Sequence, residues 1–188
     1  MINIALIGNP NTGKTTLYNL LTSSREHVGN WHGVTVEEKA KSYIYKNREI
    51  KMVDLPGTYS LSSLSFEEGV TVDYLLNNKI DAIVNICDAS NLKRNLYLTL
   101  SLLEMGLPVI LVVNQIDKRP ICKIDFAMLE RLLGVNIVYV NASNKKDEHI
   151  VNDAILSIVD KVKNGYIQPK PFYLKNFQFS KVKKYINE

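Results

Sequence analysis

Residues 8 to 16 read Gly8-Asn9-Pro10-Asn11-Thr12-Gly13-Lys14-Thr15-Thr16, which fits the phosphate-binding pattern G-x-x-x-x-G-K-[ST] through Gly8, Gly13, Lys14 and Thr15. The chemistry such a loop performs is anion capture. Its two glycines let the backbone curl so that successive N–H groups converge on phosphate oxygens. The N-terminus of the following helix adds its positive dipole end. Lys14 is placed to reach the β- and γ-phosphates, and the Thr15 hydroxyl to ligate Mg2+. The apolar run Ile2–Ile7 ahead of the loop reads as a buried strand, and Thr16–Leu21 behind it as a helix. That strand–loop–helix frame separates the pattern from an ordinary glycine-rich turn.

Further stretches add to this site. Asp54-Leu55-Pro56-Gly57 ends another apolar run. In phosphoryl-transfer proteins an Asp here holds Mg2+ through water, and the Gly N–H contacts the γ-phosphate. Alone, Asp-x-x-Gly is usually a turn; its distance after the phosphate loop gives it weight. Thr35 lies between the two and reads either as a second Mg2+ ligand in a switch loop or as a strand-entry threonine. Asn114-Gln115-Ile116-Asp117 matches the Asn-x-x-Asp base-recognition motif of GTP-binding proteins. A carboxylate at Asp117 accepts from both guanine N1–H and the 2-amino group, and adenine offers neither donor there. Gln115 stands where Lys is usual, which removes stem packing on the base; Lys118 is close enough in sequence to cover a base face. Asn141-Ala142-Ser143 resembles a Ser-Ala-Lys stretch whose backbone N–H, here that of Ala142, contacts guanine O6. It is the loosest match, since Asn141 replaces Ser.

These residues must be held by a scaffold. Strands are expected near 2–8, 36–46, 49–54, 81–87, 108–114 and 136–141, and helices near 14–22, 67–78, 92–105, 124–133 and 148–163. Residues 36–54 alternate polar and apolar around Lys46-Asn47-Arg48, predicting an antiparallel hairpin. Ala82–Cys87 and Val109–Val113 read as strands buried on both faces. Strand–helix alternation predicts an α/β fold, a six-stranded, mostly parallel sheet with helices on both faces, whose ligands bind beyond the carboxyl ends of the strands. Gly8, Asp54 and Asn114 all fall there.

The 188 residues suit one domain with a short appendage, and an apolar fraction of 46% supports a core. A net charge of +4 is too small to argue for nucleic acid. No apolar run reaches the ~18 residues of a membrane span, and no signal sequence is visible, so the chain is expected to be soluble as given. Cys87 and Cys122 fit no metal spacing and suggest a reducing cytosol; His27, His32 and His149 form no ligand cluster. After Gly165, Pro169 and Pro171 mark a linker, and Phe172–Glu188 is rich in aromatics and lysine. Such a tail reads as the start of another helical element, or as an RNA- or membrane-binding segment.

The chain resembles the N-terminal G domain of the ferrous iron transport protein B family. The resemblance rests on Gly8–Thr16, on Val28-Gly29-Asn30-Trp31-His32-Gly33-Val34-Thr35-Val36-Glu37 and on Asp54-Leu55-Pro56-Gly57-Thr58-Tyr59-Ser60-Leu61-Ser62, and covers about residues 1–165. The family usually has Pro where His32 stands. The resemblance implies a Ras-like P-loop GTPase fold, with a GTP-binding G domain over 1–165 and, over 166–188, a linker and the start of a helical domain cut short. It implies GTP and GDP as substrate and product, Mg2+ at Thr15, Thr35 and Asp54, and a K+ ion held by Asn11 and by carbonyls of the Gly29–Trp31 region. Asn11, Lys14, Thr35 and Gly57 would then be the catalytic set. From chemistry alone Asn11 reads equally as a loop-shaping amide. The implied partner is a transmembrane iron-transport domain of the same full-length protein, on the cytoplasmic face of the plasma (inner) membrane; a homo-oligomer is admitted and nucleic acid is not expected.

Thr58 occupies the place of the glutamine that orients water in Ras-like proteins, and its shorter side chain cannot do the same. Slow turnover is therefore expected, on the order of 10⁻³ s⁻¹ without a partner. The sequence also admits two other readings: a ribosome- or tRNA-associated GTPase, which would be expected to lack the Gly29-Asn30-Trp31 and Gly57-Thr58-Tyr59-Ser60 signatures, and a guanine-nucleotide switch that does not hydrolyse.

Overall fold

A computed structural model describes residues 1–23, 28–30, 37–62, 65–115 and 124–167, with 28–30, 37 and 38 described by backbone alone. The chain runs β1 (Ile2–Gly8), α1 (Lys14–Thr22), β2 (Val28–Asn30), β3 (Glu37–Tyr45), β4 (Arg48–Asp54), α2 (Phe66–Asn77), β5 (Ala82–Asp88), α3 (Leu92–Glu104), β6 (Val109–Asn114), α4 (Phe126–Leu133), β7 (Asn136–Val140) and α5 (Glu148–Lys163). One sheet orders its strands β2-β3-β4-β1-β5-β6-β7. All six expected strands are in it, and β2 extends the edge as a short seventh. Pairings from β4 through β1, β5 and β6 to β7 are parallel; β2–β3 and β3–β4 are antiparallel.

Local chemistry explains the boundaries. Lys46 and Asn47 both take positive φ, at 45° and 60°, as a tight hairpin turn requires, and they set the register Tyr45↔Arg48 between β3 and β4. Ser65 caps α2, accepting from the Glu68 N–H at 3.2 Å, and Asp125 caps α4, accepting from Met128 N–H at 2.9 Å. Gly134, at φ 67°, ends α4 in the left-handed region.

The pleat sorts β1 between two cores. Ala5 and Ile7 pack with Leu75, Leu96 and Leu129 from the α2–α4 layer. Ile4 and Leu6 pack with Leu17, Leu21, Val151 and Ile155 from α1 and α5 on the other face. β5 and β6 are buried along almost their whole length, as their unbroken apolar runs demand. Burial on both faces leaves the strand ends as the place where polar chemistry can meet. No helix among the described residues is long and apolar enough to cross a membrane.

Candidate functional site

The carboxyl ends of β1, β4, β5 and β6 bring together Gly8–Thr15, Asp54–Thr58, Asp88 and Asn114. Glycine is required twice in the loop. A Cβ on Gly8 would stand 2.6 Å from Ile86 Cγ2 and 2.7 Å from the Ile86 carbonyl oxygen. A Cβ on Gly13 would stand 2.3 Å from Asn114 Nδ2, at a φ of +87° that side chains seldom adopt. Asn11 is left-handed too, at φ 65°, a conformation that asparagine tolerates better than most residues.

Asn114 is the hub. Its Nδ2 donates to the Thr12 carbonyl at 2.9 Å, and its Oδ1 accepts from the Ala142 N–H at 2.9 Å. One buried amide, 102 residues from Thr12 and 28 from Ala142, thus fixes the phosphate loop against the 141–143 loop. The Ala142 N–H was expected to meet guanine O6. Here it is spent on Asn114, so a base would have to share or displace that bond. The neighbouring N–H groups are engaged as well: Asn141 donates to Asp147 Oδ2 at 2.8 Å, and Ser143 to Asn141 Oδ1 at 2.9 Å. Gln115 Oε1 accepts from the Tyr139 hydroxyl, which ties the loop after β6 to β7.

Lys14 Nζ is paired with Asp54 Oδ1. Burial pushes the Asp54 carboxyl above the usual range, while Lys14 and, more weakly, Lys39 pull it down. A carboxylate enclosed to 7% exposure gains from a second cation. The Asp54 carboxylate and the hydroxyl of Thr15, next in sequence to Lys14, are oxygen donors of the kind that suit a hard divalent ion that keeps several of its waters. Among the described residues no three of His, Cys, Asp and Glu cluster to hold a metal by themselves. Thr35, Trp31, His32, Asp117, Lys118 and Cys122 lie outside the described residues, as does the tail from residue 168.

Thr58 is committed elsewhere. Its N–H donates to the Gly8 carbonyl at 3.2 Å and its hydroxyl to the Ser60 carbonyl at 2.7 Å. The residue is 2% exposed, so its side chain is not presented to a water. Ser60 and Ser62 hydroxyls both donate to Glu68, at 2.8 and 2.7 Å, anchoring the segment to the first turn of α2.

One group of residues escaped the sequence reading. A cavity of about 190 Å³ opens between the phosphate loop and α3, lined among others by Pro10, Asn11, Tyr59, Asp88, Arg94 and Asn95. The Arg94 guanidinium lies over the Tyr59 ring, 4.6 Å from its centroid. Asn95 Oδ1 accepts from the Asp88 N–H at 2.7 Å. The signal available was Asp88 at a strand's carboxyl end, followed after Ala89 by the polar Ser90-Asn91.

Comparison with known proteins agrees with this geometry. The family model described as ferrous iron transport protein B matches residues 2–155. The Fe(2+) transporter FeoB of Salmonella typhimurium is 42% identical over 169 residues, covering 82% of this chain and 22% of the relative. That of Escherichia coli K12 is 46% identical over 143 residues, covering 73% and 18%. The chain therefore spans about a fifth of the length of the curated relatives it matches. Among solved structures, a GDP-bound point mutant of the S. thermophilus FeoB G-domain superposes with a TM-score of 0.75 at 47% identity, covering 82% of this chain and 60% of that one. The apo cytosolic domain of T. maritima FeoB gives 0.81 at 39% identity, covering 86% and 65%. The chain belongs to the ferrous iron transport protein B family, and its fold is that of the family's Ras-like G domain.

Proposed function

We propose that this chain binds GTP and hydrolyses it slowly, as the cytosolic domain that regulates ferrous iron uptake by a membrane transporter of the same protein. The observation that carries this reading is Asn114, whose amide joins the phosphate loop to the 141–143 loop as a nucleotide spanning both would need. Relatives described as GDP- and GMPPNP-bound forms support the nucleotide.

In the proposed reaction, Lys14 leaves Asp54 for the β- and γ-phosphates, and the Gly8–Thr16 N–H groups hold the phosphate chain. Asp54, freed, would hold Mg2+ together with Thr15 and Thr35. Gly57 offers its N–H to the γ-phosphate. Asp117 reads the base, with Asn114, Gln115, Lys118 and Asn141–Ser143 forming its surround. Mg2+, and K+ at Asn11, would supply positive charge against the charge that develops on the transferring phosphoryl group. The buried, fully bonded Thr58 supports a low intrinsic rate, because no side chain from that position orients the attacking water. The same bonds fit a second reading, a domain that switches with nucleotide without hydrolysing it. We assign the G domain to 1–165 and the following linker and helical start to 166–188; Gly165, at φ 73° just past α5, suits such a break.

The test is competition for a fluorescent GDP. Unlabelled GTP should displace it and ATP should not, and Asp117→Ala should erase that preference. Displacement by ATP as readily as by GTP in the wild type would refute the assignment of the base site.

A further inference from the structure

Asn9 is 2% exposed, and neither its Nδ2 nor its Oδ1 has a hydrogen-bond partner among the described residues. The other buried asparagines are bonded at one end at least: Asn85 Oδ1 accepts from Thr99 at 2.6 Å, Asn95 Oδ1 from the Asp88 N–H, Asn114 uses both ends, and Asn152 Oδ1 accepts from Tyr43 at 2.8 Å while its Nδ2 is unpartnered. A buried amide left unpaired at both ends is costly, and a polar group so placed calls for an explanation.

Its neighbours supply one. The Asn9 carbonyl is taken by the Thr12 hydroxyl at 2.8 Å. On one side of it, Gly8 accepts from the Thr58 N–H; on the other, Pro10 lies 3.5 Å from where a Cβ on Gly57 would stand. Both flanks of Asn9 therefore touch the Asp54–Thr58 segment. Asn9 sits at the seam between the fixed phosphate loop and the segment that would have to move when a γ-phosphate binds.

We propose that Asn9 is a positioning residue that senses the γ-phosphate: its carboxamide pairs with the backbone of the Pro56–Gly57 turn only when that turn closes on a triphosphate. Nδ2 then donates to a carbonyl of the turn and holds the Gly57 N–H toward the phosphate. This rests on the triphosphate site proposed above. Because the pairing belongs to one state, Asn9 sets the preference for triphosphate over diphosphate rather than overall affinity.

Asn9→Leu, the same shape without the polar atoms, separates the two roles. In the full 188-residue chain, calorimetric titration with GDP and with GMPPNP is compared with the wild type, alongside the melting temperature without nucleotide. The expected result is a GMPPNP-to-GDP affinity ratio reduced about tenfold or more, whatever the change in GDP affinity itself, and a melting temperature equal or higher. Asn9→Ala should show the same selective loss if Leu fits poorly. Equal losses for both nucleotides, no loss, or variants that do not fold would overturn the inference. Wild-type protein that binds neither nucleotide would instead sink the proposed function.

Discussion

Asn114 carries two buried bonds that one substitution removes together. Asn114→Ala leaves the Thr12 carbonyl and the Ala142 N–H without that partner, and each buried orphan costs about 1–3 kcal/mol. A loss of roughly 3 kcal/mol in urea denaturation is expected, before any nucleotide is added. A change under about 1 kcal/mol would mean that water satisfies both groups and that the amide does not couple the loops. The motif spacing made Asn114 legible as a site residue, because strand end and Asn-x-x-Asp coincide. Its bond to Thr12 was not legible, since nothing local links residues 102 apart. The Lys14–Asp54 pair and the two orphaned ends of Asn9 are likewise products of tertiary placement. Ala142 adds a bond that its motif did not show: the N–H read as a donor for a base donates to Asn114.

At the scale of elements, the β3–β4 hairpin is tied to α5 by polar bonds. Tyr43 donates to Asn152, Tyr45 to Asp153 Oδ1 at 2.9 Å, and Arg48 meets Asp160 at 2.6 Å. Tyr43 is the tie that matters, because it is the most enclosed of the three. Burial, with Glu148 adding to it, raises the Tyr43 hydroxyl well above its ordinary value of 10.0. The native state then keeps a proton that the unfolded chain releases. Stability is complete below about pH 10 and falls as pH rises beyond it, by up to about 1.4 kcal/mol per pH unit. Tyr43→Phe should cost about 1 kcal/mol at pH 7 and flatten the alkaline fall; an equally steep fall in the variant would assign it to other groups. The hairpin itself was readable from alternation and from Lys46-Asn47, and β5 and β6 from their apolar runs. The short β2 was not: three residues including Gly29 carry neither alternation nor a turn signal, and the strand forms only because the β3 edge is there to pair with.

The whole molecule places a loop with the phosphate-binding pattern, a buried carboxylate and an inter-loop amide along one edge of a sheet buried on both faces. Two rigid cores behind that edge leave the Asp54–Ser62 segment, held by Gly8, Ser60 and Glu68 contacts, as the part able to report what the loop holds. Nothing from the Thr58 position directs a water, so the proposed hydrolysis would need charge from elsewhere, and Asn11 in the Gly8–Thr16 loop is the residue proposed to recruit it. The most direct test is GTP hydrolysis with Mg2+ in KCl against NaCl at equal ionic strength, for the wild type and Asn11→Ala. The account predicts slow turnover that K+ raises clearly in the wild type and not in the variant. Equal rates in both salts, or a K+ gain that survives Asn11→Ala, would contradict it.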